Sequence, residues 1–103
     1  MEIQYRTRQL ARLAESPAEA RRKLGPSLAK EFLERLRVIQ AAPSPDALQR
    51  MPALYFHALK GPLAGLFALK LGFRSRLLLS FHIEPNREII AVVEELSRDH
   101  YQD

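Results

Sequence analysis

Residues 76–83 read RLLLSFHI, and their alternation decides the architecture. In an extended strand Leu77, Leu79, Phe81 and Ile83 share one face, while Arg76, Leu78, Ser80 and His82 share the other. The first set predicts a face packed beneath helices. The second places Arg76 on a face open to solvent or ligand. The stretch EIIAVVEEL (88–96) that follows is rich in β-branched residues with little polar relief, as a central strand would be. Upstream, residues of about 53–59 and 65–71 have the same extended character. Gly72 suits the turn from the second strand to the third, and Pro85-Asn86 the turn from the third to the fourth.

The first half of the chain has a different period. EIQYR (2–6) predicts a short strand, and Thr7 can cap a helix carrying Leu10, Ala11, Leu13 and Ala14 on one face. SPAE (16–19) is a start signal: Ser16 caps, Pro17 fits the first helical position, and Glu19 can reach back as a capping box. Gly25 offers a left-handed stop, and Pro26 restarts the helix. Over residues 27–41, Leu28, Phe32, Leu36 and Ile39 recur at helical spacing, widened by Ala29 and Leu33, with Glu31 and Arg35 as an i,i+4 pair on the other face. Ser44-Pro45-Asp46 begins one short turn before Pro52. The expected fold is α+β: an N-terminal strand and two to three helices packed on a three- to four-stranded, antiparallel-rich sheet, in a single domain spanning 1–103.

Composition sets the outer limits. A chain of 103 residues, 47% hydrophobic and 27% charged, supports one core that buries roughly two-thirds of the unfolded surface. No apolar run approaches the roughly 20 residues of a membrane span, and MEIQYRTRQL lacks the apolar segment of a secretory signal. With no cysteine, disulfides and thiolate metal sites are excluded, and a cytoplasmic protein is expected. Sixteen Lys and Arg against 12 Asp and Glu give a net charge of +4, which favours anionic partners such as nucleic acid or an acidic protein segment.

Taken in order, ARRKLGPSLAKEFLERLRVIQAA (20–42), HALKGPLAGLFALKL (57–71), SRLLLSF (75–81) and VVEELSRDHY (92–101) resemble the RelE/ParE toxin superfamily, and within it the HigB-type plasmid-maintenance toxins. The likeness spans nearly the whole chain. It implies the toxin of a type II toxin–antitoxin system, acting at the ribosome as an endoribonuclease on messenger RNA without a metal or other cofactor. It also implies an antitoxin partner, a HigA-like helix-turn-helix protein, and no membrane partner. Carried over by position, the family's lysine falls on Lys60, its catalytic arginine on Arg76, and the histidine of the His-x-Leu-Lys-Gly segment on His57. Arg74 and Lys70 are the further substrate-binding cations. The terminal Asp99-His100-Tyr101 inverts the order Asp-Tyr-His common in the family, so either His100 or Tyr101 is the terminal catalytic group. Pro62-Leu63-Ala64 stands where the family often has a basic turn.

The implied chemistry fits these residue types. Metal-free RNA cleavage needs a base for the 2′-hydroxyl, cations for the phosphorane and an acid for the leaving 5′-oxygen. Arginine meets phosphate as a fork and lysine as a point charge. His57, His82 and His100 are the residues that titrate near neutrality, and no His-Glu-x-x-His or similar spacing points to zinc. Two other readings use the same fold: a ParE-like toxin that binds DNA gyrase without cutting RNA, and a degenerate module that only binds an antitoxin-like partner.

Overall fold

The computed structural model describes residues 1–98. Among them the helices begin where local chemistry starts them. Helix α1 (Arg8–Glu15) follows Thr7, whose Oγ1 accepts the Leu10 amide at 3.1 Å. Helix α2 (Pro17–Leu24) follows Ser16, which accepts the Glu19 amide at 3.2 Å. Glu19 does not reach back to close a capping box. Its carboxylate is held one turn further on, by Arg22 at 2.6 Å with Lys23 at 4.0 Å, while the Ser16 amide already donates to the Arg12 carbonyl at 3.0 Å.

Gly25 ends α2 at φ 85° and ψ 160°, a positive φ that glycine takes readily, but extended and not left-handed helical as expected. Pro26 explains the difference, since the residue before a proline is driven out of helical ψ. Helix α3 (Pro26–Ala41) then runs four turns, and a short α4 (Pro45–Gln49) follows. The Glu31–Arg35 pair forms at 2.9 Å, yet it does not lie on an open helix face. Arg35 is partly buried and its Nε donates to the Lys70 carbonyl at 3.3 Å, which ties α3 to the sheet.

The sheet holds five strands in the order β1-β5-β4-β3-β2: β1 (Glu2–Tyr5), β2 (His57–Ala58), β3 (Phe67–Leu71), β4 (Ser75–Ile83) and β5 (Ile89–Ser97). Strands β2 to β5 form the antiparallel meander, and β1 adds in parallel to β5, with Tyr5 opposite Val93. Strand β5 is interior, as its β-branched run predicts. Strand β2 is much shorter than the expected 53–59, because Pro52 opens a 3₁₀ turn, Pro52–Leu54, and leaves only His57 and Ala58 to pair. The β4–β5 hairpin turns with Arg87, not Asn86, at positive φ (72°), closed by the Glu84 amide donating to Glu88 O at 2.8 Å.

All four helices lie over one face of this sheet. Phe32, Leu36 and Ile39 of α3, Leu10 and Leu13 of α1 and Leu24 of α2 bury Leu69, Leu71, Leu77, Leu79, Ala91 and Val93. Phe56, Phe67 and Phe81 extend that layer as an aromatic cluster with centroids 5.3–6.0 Å apart. Ile83, expected in the core, is 68% exposed because β4 runs on past the helices. Among the described residues, no helix lies on the second face of the sheet. That face has its own small apolar cluster: Leu78 and Ala68 from the strands, covered by Leu59 and Leu66 of the intervening loop. The Leu59 amide donates to the Leu66 carbonyl at 2.9 Å and closes that loop.

Replacing Ser16 by Ala removes the α2 cap. It should cost about 1 kcal/mol and lower the melting temperature by roughly 4–8 °C, measured by thermal circular dichroism. Tyr5 offers a pH test. Burial, and then the charge of Glu15, raise its phenol above the ordinary 10.0. The unfolded chain therefore ionises first, and the stability this phenol contributes is whole below pH 10 and lost as pH climbs to the folded pKa. Tyr5→Phe should flatten the alkaline loss of stability, read from urea midpoints on either side of that pH.

Candidate functional site

Register assembles a cationic cluster on the helix-free face. Lys70 of β3 stands directly opposite Arg76 of β4, which in turn stands opposite Ser97 of β5. One row along, His57 of β2 faces Ala68, Ala68 faces Leu78, and Leu78 faces Glu95. Residues opposite one another share a face, as do positions two apart along a strand, so His57, Lys70 and Arg76 project from the same side. The apolar cluster of Leu59, Leu66, Ala68 and Leu78 forms the floor beside them. Between Leu78 and Leu79 the β4–β5 register shifts by a bulge in β5. The shift brings Glu94 to Ser80, whose hydroxyl donates to it at 2.6 Å, with Arg6 at 4.0 Å on the other side. Glu94 thus serves Ser80 and Arg6.

The side chains are placed with some strain. Two cations directly opposite across a ladder repel. The Lys70 ammonium lies 5.2 Å from the ring centroid of Tyr55, a cation–π contact. Arg76 Nη1 donates to the Ser75 carbonyl at 2.9 Å. The Nδ1 of His57 lies 2.7 Å from the Tyr55 carbonyl oxygen. A carbonyl can only accept, so Nδ1 carries the proton and the lone pair of the neutral ring resides on Nε2. Tyr55 itself adopts φ 47° and ψ 43°, left-handed and uncommon for a bulky residue.

Of the residues expected from sequence, His57, Lys70 and Arg76 come together. Lys60 lies outside their rows, exposed and extended, just ahead of the 3₁₀ turn Gly61–Leu63. Arg74 is exposed in the β3–β4 turn beside Gly72, whose φ is 66°. His82 is four residues from the row of His57, about 13 Å along β4, and it faces Glu84 at 3.2 Å. His100 and Tyr101 lie outside the described residues. Tyr55 was not signalled by the sequence; neither its backbone conformation nor its contact with Lys70 has a local motif.

Chemically, the arrangement suits an anion with tetrahedral oxygens: one fork, one point charge, and an imidazole of fixed tautomer alongside. Comparison with solved structures gives the same fold. A YoeB/ParE toxin from Agrobacterium tumefaciens superposes with a TM-score of 0.62 at 14% identity, over 98% of this chain and 100% of that one. YafQ from E. coli strain BL21(DE3) gives 0.58 at 12% identity, over 94% and 91%. A YoeB-YefM complex from Staphylococcus aureus gives 0.50 at 17% identity, over 98% of each chain. No family model and no curated protein matches the sequence. The chain has the fold of the RelE/ParE-like toxins; none of the three solved structures carries the HigB name.

If the opposed cations form an anion site, inorganic phosphate should raise the melting temperature above that in chloride of equal ionic strength. At tenfold excess over Kd the gain is about 1.4 kcal/mol. The excess should vanish in Lys70→Gln and Arg76→Gln, and differential scanning fluorimetry reads it.

Proposed function

We propose that the protein is the toxin of a toxin–antitoxin pair and cuts messenger RNA on the ribosome. The observation that carries this reading is the Lys70–Arg76 pair on a helix-free sheet face, with His57 one row away, in a chain with a toxin fold. In this mechanism Nε2 of His57 takes the proton of a ribose 2′-hydroxyl, and the oxygen attacks the adjacent phosphorus. Arg76 and Lys70, with Lys60 reaching in from its loop, stabilise the charge of the pentacoordinate phosphorane. The P–O5′ bond breaks and the leaving oxygen takes a proton from His100 or Tyr101. The products are a 2′,3′-cyclic phosphate and a 5′-hydroxyl. Arg74 and the net charge of +4 would draw in the RNA backbone.

The partner in this reading is an antitoxin, HigA-like and encoded beside the toxin gene. A solved complex of the same fold, YoeB-YefM, supports a protein partner. The pair should co-purify at physiological salt, with an interface on the order of 1,200–2,000 Å² if of standard size.

Pulsed expression without antitoxin, followed by primer extension, should reveal cuts in translated transcripts. Intact messenger RNA together with blocked gyrase supercoiling would replace this reading with the ParE-like one. Arg76→Ala and Lys60→Ala should each lower single-turnover cleavage on programmed ribosomes by roughly 10²–10³, as loss of one preorganised donor does. Arg76→Lys should recover little, because an ammonium cannot reproduce the fork. Circular dichroism and antitoxin binding serve as folding controls.

A further inference from the structure

We infer that Tyr55 is a stacking platform for a nucleobase of the RNA held at the Lys70–Arg76 pair, an assignment that rests on the RNA-cleaving reading above. Tyr55 and Phe56 are consecutive aromatics with opposite fates. Phe56 is 5% exposed and stacks on Phe67 at 5.3 Å, inside the core. Tyr55 is 66% exposed. The left-handed backbone at Tyr55 is what turns the chain between them, and its amide is held by the Pro52 carbonyl at 3.2 Å. Strained backbone of this kind persists where the surrounding structure over-determines it and concentrates at functional sites. Here both neighbours of the strain belong to the site. The Tyr55 ring carries the Lys70 ammonium at 5.2 Å, and its carbonyl accepts from His57 Nδ1 at 2.7 Å.

An exposed aromatic ring beside paired cations is the combination that binds single-stranded nucleic acid, the cations meeting phosphate and the ring meeting a base face. With Lys70 over one face of the ring, a base stacks on the other, and the adjoining phosphate falls toward Lys70 and Arg76. Phe73 is more exposed, at 90%, but it belongs to the β3–β4 turn. Tyr55 touches both Lys70 of the cation pair and the imidazole of His57. A protein-binding role for Tyr55 would explain its exposure; it would not explain why its contacts are the phosphate-binding and proton-accepting groups.

The chain contains no tryptophan, so Tyr55→Trp places a single tryptophan, excited selectively over tyrosine, at the platform. Its emission should be quenched by single-stranded oligoadenylate, and far less by an RNA duplex of equal length. Tyr55→Ala should weaken oligoadenylate binding roughly 10- to 100-fold, the range for loss of one stacked base, while Tyr55→Phe keeps it. On programmed ribosomes Tyr55→Ala should raise KM, and Tyr55→Phe should restore it. Unquenched indole emission at saturating RNA, or wild-type affinity in Tyr55→Ala, would overturn the platform. So would a Tyr55→Ala defect confined to the antitoxin complex. Cleavage lost in Arg76→Ala, with neither KM nor RNA affinity changed in Tyr55→Ala, would remove the platform and keep the nuclease. Quenching by RNA in a protein that cuts no transcript would keep the platform and remove the nuclease.

Discussion

A sheet with helices on one face only must close its other face by different means, and most of this molecule follows from that requirement. Strand β4 is interior, and the middle of it is apolar on both sides: Leu77 and Leu79 toward the helices, Leu78 away from them. The outward Leu78 has no helix to meet. It is buried instead by the loop that carries Leu59 and Leu66, and burial of such a side chain contributes about 1.5–3 kcal/mol. The loop therefore folds onto the second face because of Leu78, and in doing so it sets His57 and Lys60 on either side of a leucine anchor.

That same arrangement makes the uncovered remainder polar. Past Leu78 the ladder offers Lys70, Arg76 and Ser97 in one row. A cation directly across from a cation weakens a sheet, by something on the order of 0.2–1 kcal/mol, and a bulky residue in left-handed backbone adds about 1–2 kcal/mol. The molecule tolerates both within two strands of each other because the opposite face of those strands is so well packed: Leu69, Leu71, Leu77 and Leu79 are fully buried. The apolar core and the cationic row thus occupy opposite faces of the same two strands.

The architecture was legible because it depends on period and punctuation. Alternation in 76–83 separated the two faces of β4, the recurrence of Leu28, Phe32, Leu36 and Ile39 marked α3, and Thr7 and Ser16 marked helix starts. Where two local signals met, the reading failed: Pro26 overrode the left-handed stop at Gly25, and Pro52 truncated β2. The site was legible only in part. Arg76 could be placed from its strand, but the pairing of Lys70 with Arg76 depends on the register of β3 against β4, which no residue nearby announces. Tyr55 was beyond reach for the same reason, since its conformation answers to the core position of Phe56 and its ring to a lysine fifteen residues away.

The parallel pairing of β1 with β5 has a consequence for biosynthesis. Tyr5 and Val93 are about 90 residues apart in the chain, and closing a loop of that length costs on the order of 4 kcal/mol in chain entropy. Strand β5 also lies between β1 and β4, so the sheet is two separate pieces until it arrives. A nascent chain can form its helices early, but β1 has no partner until residues 89–97 emerge. Folding of such non-local topology is slow, and the pairing that ties β1 to the rest of the sheet is among the last features to form. Strand β5 is therefore the piece that joins the N-terminal edge of the sheet to the β2–β4 meander.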